Sequence, residues 1–434
     1  MKKVFVETYG CQMNVYDTEL VQTILTKNGY ETVKDETSAD IIMLNTCSVR
    51  DNANRKIYNR VHEIRRGREN PVLVGILGCM ATNFKTDLLD NKSLKIDFIA
   101  GPDSYKHLPR LIDEASGGEK TFDVTLSEFE TYSDIDPTRQ TGPNAWIAIM
   151  RGCNNYCTFC VVPYTRGRER SRSPENIVEE VERLVAAGYK QVTLLGQNVN
   201  SYSHEDTSFT NLMDKVSQVK GIERIFFTSP HPKDFPTDLL KLMAERDNIC
   251  KQIHMPLQAG SSRILKKMNR TYTKEEFLDL VDHIRDIMPD VHLSTDIILG
   301  FPTETDEEYM ETEEVVKKVK FDTAFIFKYS ERPNTTAERL FKDDVSEEQK
   351  KHRIIRLNAF QRDIRLEKNR EKIGKEQKIL VEKIGSRRDP NEIQARNEGN
   401  TVVILPSNKD ISVGDLVMVK ITDATPDVLK GEFV

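Results

Sequence analysis

Three cysteines, Cys153, Cys157 and Cys160, lie close together in the segment 151–160. Soft thiolate ligands select zinc or an iron–sulfur cluster. A structural zinc site needs four protein ligands, and Cys250 is a poor fourth ligand because it lies in a different strand–helix unit. Three cysteines around a four-iron cluster leave one iron open to a further ligand. The three thiolates therefore indicate a metal centre, which could be an iron–sulfur cluster with one open iron, a zinc knuckle or an electron-carrying ferredoxin cluster.

A second set of three cysteines, Cys11, Cys47 and Cys79, is spread over the amino-terminal part of the chain. Each follows a predicted strand and stands beside turn residues such as Gly10 or Gly78. A free cysteine is often a buried small hydrophobe, but a loop at a strand end is a poor position for one. Loops at the carboxyl ends of parallel strands converge on one crevice. We therefore expect these thiolates to meet and to hold a second iron–sulfur cluster.

The elements that would position the second set alternate between strands and helices. Segments 3–11, 41–45 and 72–78 are typical of short apolar strands that end in loops. A helical pattern with Leu20 and Ile24 on one face follows the first strand. This alternation predicts a parallel sheet with helices on its faces.

Six further strand patterns, separated by helical segments, begin at Trp146. They are residues 146–150, 191–195, 224–228, 252–255, 293–298 and 324–328. Six strand–helix units are fewer than the eight of a complete barrel, so we predict an open, partial (β/α)6 barrel.

The remaining segments complete an α/β protein with three domains. A charged helix is expected from about residue 346 to 372, and the tail from about residue 376 has the short, Gly-, Asn- and Pro-interrupted strands of a small β-barrel. The acidic stretch before Asn144 has little periodicity and is interpreted as a linker. The predicted division is residues 1–116, a linker at 117–144, residues 145–372 and residues 373–434.

Composition limits where the protein works. The chain has 434 residues and a net charge of −6, which argues against a uniformly nucleic-acid-binding surface but allows a local basic patch. No apolar run suits a signal peptide or a membrane span, so we expect no membrane partner and a cytoplasmic location. Thiols stay reduced there, which makes the seven cysteines candidate ligands or nucleophiles.

The spacing from Cys153 to Cys160 resembles that of the radical S-adenosylmethionine (SAM) superfamily. There, SAM chelates the open iron, and an electron from the cluster cleaves it to a 5′-deoxyadenosyl radical. The resemblance implies SAM contacts at several barrel strand ends, although each stretch also fits an ordinary turn, and 195–198 departs from the usual Gly-Gly-Glu. The implied SAM-binding residues are Phe159, Gly196, Gln197, Asn198, Gln258, Ser261, Asp296 and Gly300.

Several stretches resemble the methylthiotransferases, over nearly the whole chain. They are residues 10–19, 45–50 and 78–80, and the cysteine motif itself. Residues 160–172 and 194–202 resemble the MiaB-type branch, which acts on isopentenyladenosine beside the tRNA anticodon. The RimO-type branch, which modifies a ribosomal protein, typically has a Pro-Lys pair where Gln12 and Met13 stand here. The tail resembles a TRAM domain, a small RNA-binding β-barrel.

The resemblance implies methylthiolation of C2 of N6-isopentenyladenosine in tRNA. SAM would be both methyl donor and radical source, and a sulfide on the open iron of the auxiliary cluster at Cys11, Cys47 and Cys79 would supply sulfur. No side chain is expected to be catalytic beyond the cluster-bound cofactors. The implied partners are the isopentenylated tRNA, a low-potential electron donor and a sulfur or cluster donor. The alternatives are threonylcarbamoyladenosine tRNA or a ribosomal protein as substrate, and a non-catalytic RNA-binding iron–sulfur protein.

Four arginines, Arg166, Arg168, Arg170 and Arg172, follow Cys160 at alternate positions. An adenine in a stacked loop must be flipped out before it can enter an active site. Arginines beside the mouth of that site suit contacts to RNA phosphates. We therefore expect these four to bind RNA, with a solvated charged turn as the alternative.

Overall fold

The computed structural model describes residues 1–48, 51–66, 71–139, 142–233, 235–385 and 389–434, apart from the side chains of residues 51–55 and 86. Val49 and Arg50, which end the second methylthiotransferase-like motif, lie outside the described residues. None of the described helices has both the length and the apolar character that a bilayer-crossing segment needs.

The amino-terminal part forms a parallel sheet with helices on its faces. Within the described residues the sheet has six strands in the order β2-β1-β3-β4-β5-β6. Strands β3 and β4 are almost entirely buried, as expected for central strands covered on both faces. The elements are β1 (Lys3–Tyr9), α1 (Gln12–Lys27), β2 (Glu31–Thr32), β3 (Ile41–Thr46), α2 (Asp51–Arg65), β4 (Leu73–Gly78), α3 (Cys79–Phe84), α4 (Thr86–Asp90), β5 (Phe98–Ala100), α5 (Leu108–Ser116) and β6 (Thr121–Asp123).

The segment predicted as a linker packs against this sheet. Strand β6 lies inside it and pairs in parallel with β5. Tyr132 is fully buried, and its hydroxyl donates to the Pro102 carbonyl at 2.9 Å. A three-residue strand leaves no periodic signal in the sequence, which is why the segment looked unstructured. The predicted domain limits stay a prediction.

The central part is the predicted partial barrel. Its six parallel strands form two sheets, β7-β10-β13 and β14-β15-β16, which an isolated parallel bridge between Ile225 and Ile249 connects. The elements are β7 (Asn144–Ala148), β8 (Met150–Arg151), α6 (Val162–Arg166), β9 (Arg170–Ser171), α7 (Pro174–Ala186), β10 (Gln191–Leu195), β11 (Ser203–His204), β12 (Thr207–Ser208), α8 (Phe209–Ser217), β13 (Arg224–Phe227), α9 (Thr237–Glu245), β14 (Gln252–His254), α10 (Ser262–Lys267), α11 (Lys274–Ile287), β15 (His292–Leu299), α12 (Asp306–Val319), β16 (Thr323–Lys328), α13 (Thr336–Leu340) and α14 (Glu347–Arg370). Short 3-10 helices lie at Glu36–Ser38, Tyr105–His107 and Val199–Ser201.

The tail is a closed β-barrel, as predicted. Its strands are β17 (Glu376–Ile384), β18 (Glu392–Asn397), β19 (Val402–Pro406), β20 (Leu416–Ala424) and β21 (Val428–Phe433), in the order β17-β18-β19-β21-β20. Arg224 of β13 is buried against this barrel and donates to the carbonyls of Arg396, at 2.9 Å, and Lys378. The buried guanidinium group of Arg224 therefore holds the tail against the outside of the central barrel.

Candidate functional site

All six cysteines of the two predicted sets line one cavity of about 300 Å³. The cavity lies where the carboxyl ends of the amino-terminal sheet face those of the central barrel. Cys11, Cys47 and Cys79 come from the first domain, and Cys153, Cys157 and Cys160 come from the second. Two sets that are far apart in sequence thus open into the same space.

Strand register brings the first set together. Residues Tyr9 and Thr46 pair across β1 and β3, and Thr46 pairs with Gly78 across β3 and β4. The three strands therefore end at one level, and each cysteine follows within two residues of a strand end. This confirms the predicted placement of Cys11, Cys47 and Cys79 after strands.

A tight turn and two asparagines brace these loops. A Cβ on Gly10 would lie 2.3 Å from Asn14 Oδ1 and 2.9 Å from the Cys47 Cβ, so only glycine fits there. Asn14 Oδ1 accepts from the Cys11 backbone N–H at 3.3 Å and from the Cys11 thiol at 3.4 Å. Asn14 Nδ2 in turn donates to Asn45 Oδ1 at 3.2 Å. The position of the Cys11 thiol is therefore set by a buried amide network.

Two hydrogen bonds and a glycine hold the start of the loop that carries the second set. Gly152 has φ +79°, and a Cβ there would lie 2.0 Å from the Arg168 carbonyl oxygen. The Gly152 N–H donates to Gln197 Oε1 at 2.6 Å, and the Cys153 N–H donates to the Gly167 carbonyl at 3.1 Å. The chain around Cys153 is thus fixed in place before any cofactor binds.

Burial and neighbouring groups set the acidity of the thiols. Burial raises the pKa of Cys153 to about 12 and also raises the pKa of Cys160. A hydrogen bond with Cys47 lowers the pKa of Cys11 to about 6, and Arg166 contributes in the same direction. A coordinating metal deprotonates a thiol outright, so the raised pKa of Cys153 and Cys160 does not prevent them from acting as ligands.

Each set of cysteines also has an arginine against one of its sulfurs. Arg166 Nε donates to Cys79 Sγ at 3.2 Å, and Arg270 Nη1 donates to Cys157 Sγ at 3.4 Å. Among the described residues, no group of three or more His, Cys, Asp or Glu side chains could hold a single metal ion. Thiols that surround a shared cavity and face cationic donors fit anionic iron–sulfur clusters better than a zinc knuckle.

The residues predicted to bind SAM divide into two groups. Phe159, Gly196, Gln197, Gln258 and Asp296 line the cavity beside the second set of cysteines.

Three further residues, Asn198, Ser261 and Gly300, do not line this cavity, and their contacts with SAM stay a prediction. Ser261 Oγ donates to Glu308 at 3.0 Å. A Cβ on Gly300 would lie 2.4 Å from the Lys350 side chain, on the α14 side of the barrel. Asn198 is buried at the N-cap position of the 3-10 helix that follows it, without a side-chain capping hydrogen bond.

Three of the four arginines expected to bind RNA, Arg166, Arg170 and Arg172, lie inside the protein and not on its surface. All three side chains are buried, and each is paired within the protein, with Asp17, Asp103 and Glu180 respectively. Buried guanidinium groups need such partners because an unpaired buried charge is strongly unfavourable. Arg168 alone of the four is exposed, so its predicted role is not excluded by burial.

Sequence reasoning missed Asp17, which pairs with Arg166 of the cavity wall. Its carboxylate is fully buried and accepts from Arg151 and, at 2.8 Å, from Arg166 Nη2. Burial opposes its ionisation, but the two arginines outweigh that effect and lower the pKa of Asp17. A signal for it exists, because Asp17 shares a helix face with the apolar residues Met13, Leu20 and Ile24. Arg270 left no comparable signal.

An aromatic edge lies next to the cavity. Strand β16 pairs Phe325 with Asp296 and Phe327 with Ile298 on β15, so these four side chains point to the barrel interior. Phe325 is 49% exposed and Phe327 is 37% exposed. Within the described residues β16 pairs with no strand other than β15, which leaves this side of the barrel open.

Comparisons with known proteins agree with this architecture. The chain matches the radical SAM superfamily over residues 147–316, the uncharacterized protein family UPF0004 over residues 3–101 and the TRAM domain over residues 370–434. It is 47% identical to a protein of Chloroherpeton thalassium named tRNA-2-methylthio-N(6)-dimethylallyladenosine synthase, in an alignment that covers 99% of this chain and 95% of that protein. A protein of the same name from Bacteroides thetaiotaomicron is 45% identical, over 100% of this chain and 96% of that protein. The chain belongs to this synthase family.

Family membership makes the chain a radical SAM enzyme, which implies a [4Fe-4S] cluster and SAM. Among solved structures, the radical SAM methyltransferase TsrM from Kitasatospora setae superposes with a TM-score of 0.59 at 15% identity, covering 78% of this chain and 74% of that one. The cobalamin-dependent SAM radical enzyme OxsB superposes with a TM-score of 0.51 at 12% identity, covering 82% and 56%. These two likenesses show the fold that the synthase family shares with other radical SAM enzymes.

Proposed function

We propose that this enzyme methylthiolates C2 of an adenosine that carries an N6-isopentenyl group, next to the anticodon of tRNA. The single observation that supports this most is that two cysteine sets open into one cavity. A sulfur-inserting reaction needs a radical source and a sulfur source within reach of the same carbon atom. The relatives that align with this chain over nearly their whole length are named for this reaction, which supports the same conclusion.

The six thiols have two roles in this proposal. Cys153, Cys157 and Cys160 hold the radical SAM cluster, and Cys11, Cys47 and Cys79 hold an auxiliary [4Fe-4S] cluster that carries the sulfide to be transferred. When bound, the radical SAM cluster and SAM supply a carbon radical that can abstract hydrogen from an unactivated carbon, which side chains cannot do. SAM also serves as the methyl donor.

The chain's own residues position the reactants. Gln197 lines the cavity and fixes the turn before Cys153 by accepting from the Gly152 N–H. Gln258 and Asp296 supply further polar groups on the same wall, and Phe159 supplies an apolar face. This mixture of a few polar groups on an apolar wall is typical of nucleoside-binding clefts.

The open side of the barrel suits entry of a flipped base. Phe325 stands there with its ring centroid 6.0 Å from that of His254, whose Nε2 lies 3.2 Å from Asp296. An exposed aromatic ring can stack on a base that has left its own stack. An isopentenyl group buried beside it would add on the order of 3–4 kcal/mol, at about 0.8 kcal/mol per buried CH₂. That corresponds to a preference of roughly a few hundredfold over unmodified adenosine.

The tail and external donors complete the proposal. The TRAM domain is assigned to tRNA binding, a low-potential protein to electron delivery, and a sulfur or cluster donor to restoring the auxiliary cluster. A cytoplasmic location stays a prediction.

The decisive experiment is a competition under reducing, anaerobic conditions. Equal amounts of one tRNA with and without the isopentenyl group are incubated with the reconstituted enzyme and labelled SAM, and the nucleosides are analysed by mass. We expect the isopentenylated tRNA to be converted at least a hundredfold faster. Comparable conversion of both would contradict the apolar-substituent account. Conversion of threonylcarbamoyladenosine tRNA or of a ribosomal protein instead would establish one of the alternative substrates.

A further inference from the structure

Arg166 lies in the segment that follows one set of cysteines, but its side chain contacts a cysteine of the other set. It follows Cys160 by six residues, at the end of α6 in the barrel domain. Its Nε nevertheless donates to Cys79 Sγ, at 3.2 Å, in the amino-terminal domain. The side chain is 4% exposed, so the contact is shielded from water.

A second element of the amino-terminal domain holds Arg166 in this position. Asp17 Oδ2 accepts from Arg166 Nη2 at 2.8 Å and from the Tyr105 hydroxyl at 3.3 Å. The other oxygen of Asp17 pairs with Arg151, which lies two residues before Cys153. The same carboxylate is therefore tied to the start and to the end of the segment that carries the radical SAM cysteines.

The buried cluster formed by Asp17, Arg151 and Arg166 has an excess of positive charge. Two guanidinium groups share one carboxylate; Arg151 lies 4.7 Å over the centroid of the Tyr132 ring, whereas Arg166 lines the cavity and its Nη1 is buried without a hydrogen-bond partner among the described residues. Buried donors without a partner are unfavourable unless a further acceptor or an anion faces them. A cluster held by three thiolates is such an anion, and the Cys79 sulfur is already in contact.

We propose that Arg166 is a positioning residue that tunes the auxiliary centre: it stabilises the negative charge on the Cys79 sulfur and so raises the reduction potential of an iron–sulfur cluster bound by Cys11, Cys47 and Cys79. This inference rests on the proposed auxiliary cluster. Hydrogen bonds to the sulfurs and local net charge are the levers by which proteins set cluster potentials. One electron taken from an external reductant makes the cluster more anionic by one charge, and a fixed neighbouring cation favours that state.

The test uses the full-length chain with Cys153→Ala, Cys157→Ala and Cys160→Ala, so that the auxiliary centre is the only one observed. Arg166→Gln and Arg166→Lys are made in this background and reconstituted anaerobically. The midpoint potential is measured by redox titration with electron paramagnetic resonance. We expect Arg166→Gln to shift the potential to a more negative value with unchanged iron content. Arg166→Lys should recover part of the shift because it keeps the charge. Arg168→Gln, in the same segment but exposed, is the matched control and should leave the potential unchanged.

The outcomes separate this inference from the proposed function. An unchanged potential in Arg166→Gln at full iron content overturns the tuning role and leaves the auxiliary cluster intact. Loss of iron in Arg166→Gln but not in Arg166→Lys overturns the tuning role, because Arg166 would then be needed to retain the centre and not to set its potential. Equal loss in Arg166→Gln and Arg166→Lys overturns it. Absence of iron in the parent triple variant would instead contradict the auxiliary cluster itself.

Discussion

Arg166 Nε lies 3.2 Å from Cys79 Sγ, across the boundary between the two cysteine-bearing domains. The contact means that the amino-terminal domain and the barrel do not simply face each other over the cavity. They share a buried polar network at its base, and Asp17 is the carboxylate at the centre of that network. The spacing between the two sets of cysteines therefore depends on a few ion pairs.

Replacing Asp17 by asparagine should destabilise the contact between the domains. Arg151 and Arg166 would be left buried without their common anion, and breaking a buried ion pair from one side costs about 3–5 kcal/mol. We expect a lower midpoint of the first unfolding transition in urea. Asp290→Asn, at an exposed position, is the control and should unfold like the parent. Identical unfolding of the two variants would show that the Asp17 network does not stabilise the fold.

Replacing Cys153, Cys157 and Cys160 together by alanine should abolish formation of 5′-deoxyadenosine. The amino-terminal cluster should survive, because its ligands come from other strands. Iron analysis after anaerobic reconstitution should therefore give about half of the wild-type content. Wild-type iron content in this variant would show that the two-cluster assignment is wrong.

Replacing Cys11, Cys47 and Cys79 together by alanine should have the opposite effect. Cleavage of SAM should continue, because the barrel cysteines and the residues beside them are untouched. No methylthiolated nucleoside should form, since the sulfur source is lost. Mass analysis of the tRNA nucleosides checks this, and product at the wild-type yield would eliminate the auxiliary-cluster role.

Phe325→Ala should impair use of the isopentenylated tRNA more than cleavage of SAM. The ring is exposed at the open edge of the barrel and shares its face with Asp296 of the cavity. Loss of stacking on one base costs about 1–3 kcal/mol, so kcat/KM for tRNA should fall on the order of tenfold to a hundredfold. Phe325→Trp should retain most of the activity. If Phe325→Ala methylthiolated tRNA like the parent, the substrate base would have to enter elsewhere.

Removing the tail from Glu376 onward should weaken tRNA binding while SAM cleavage continues. The tail barrel has its own core, including Ile379, Val403 and Leu429, so its removal takes away one packed unit. Loss of phosphate contacts should also make the dependence of binding on salt concentration shallower. The deletion removes the tail carbonyl that accepts from Arg224. It should therefore be combined with Arg224→Ser, so that no guanidinium group is left without its acceptor. Equal tRNA affinity with and without the tail would assign it another role.

The fold class, and the strand that each of Cys11, Cys47 and Cys79 follows, could be predicted from local sequence patterns. Strand ends are local features, and buried strands such as β3 and β4 carry continuous apolar runs that are visible without any knowledge of packing. Parallel strands also require their carboxyl ends to share one edge, so convergence of Cys11, Cys47 and Cys79 followed from the order of elements. The six strand–helix units of the barrel were predictable for the same reason.

The partners of the charged residues could not be predicted from local sequence patterns. Arg166, Arg170 and Arg172 look like a basic surface stripe in sequence, yet each has a buried acidic partner 8 to 149 residues away. Whether an arginine meets phosphate or carboxylate depends on which distant element packs over it, and no local pattern encodes that. The shared cavity and the sixth strand at Thr121–Asp123 likewise depend on domain packing, because long-range contacts, not local propensity, stabilise them.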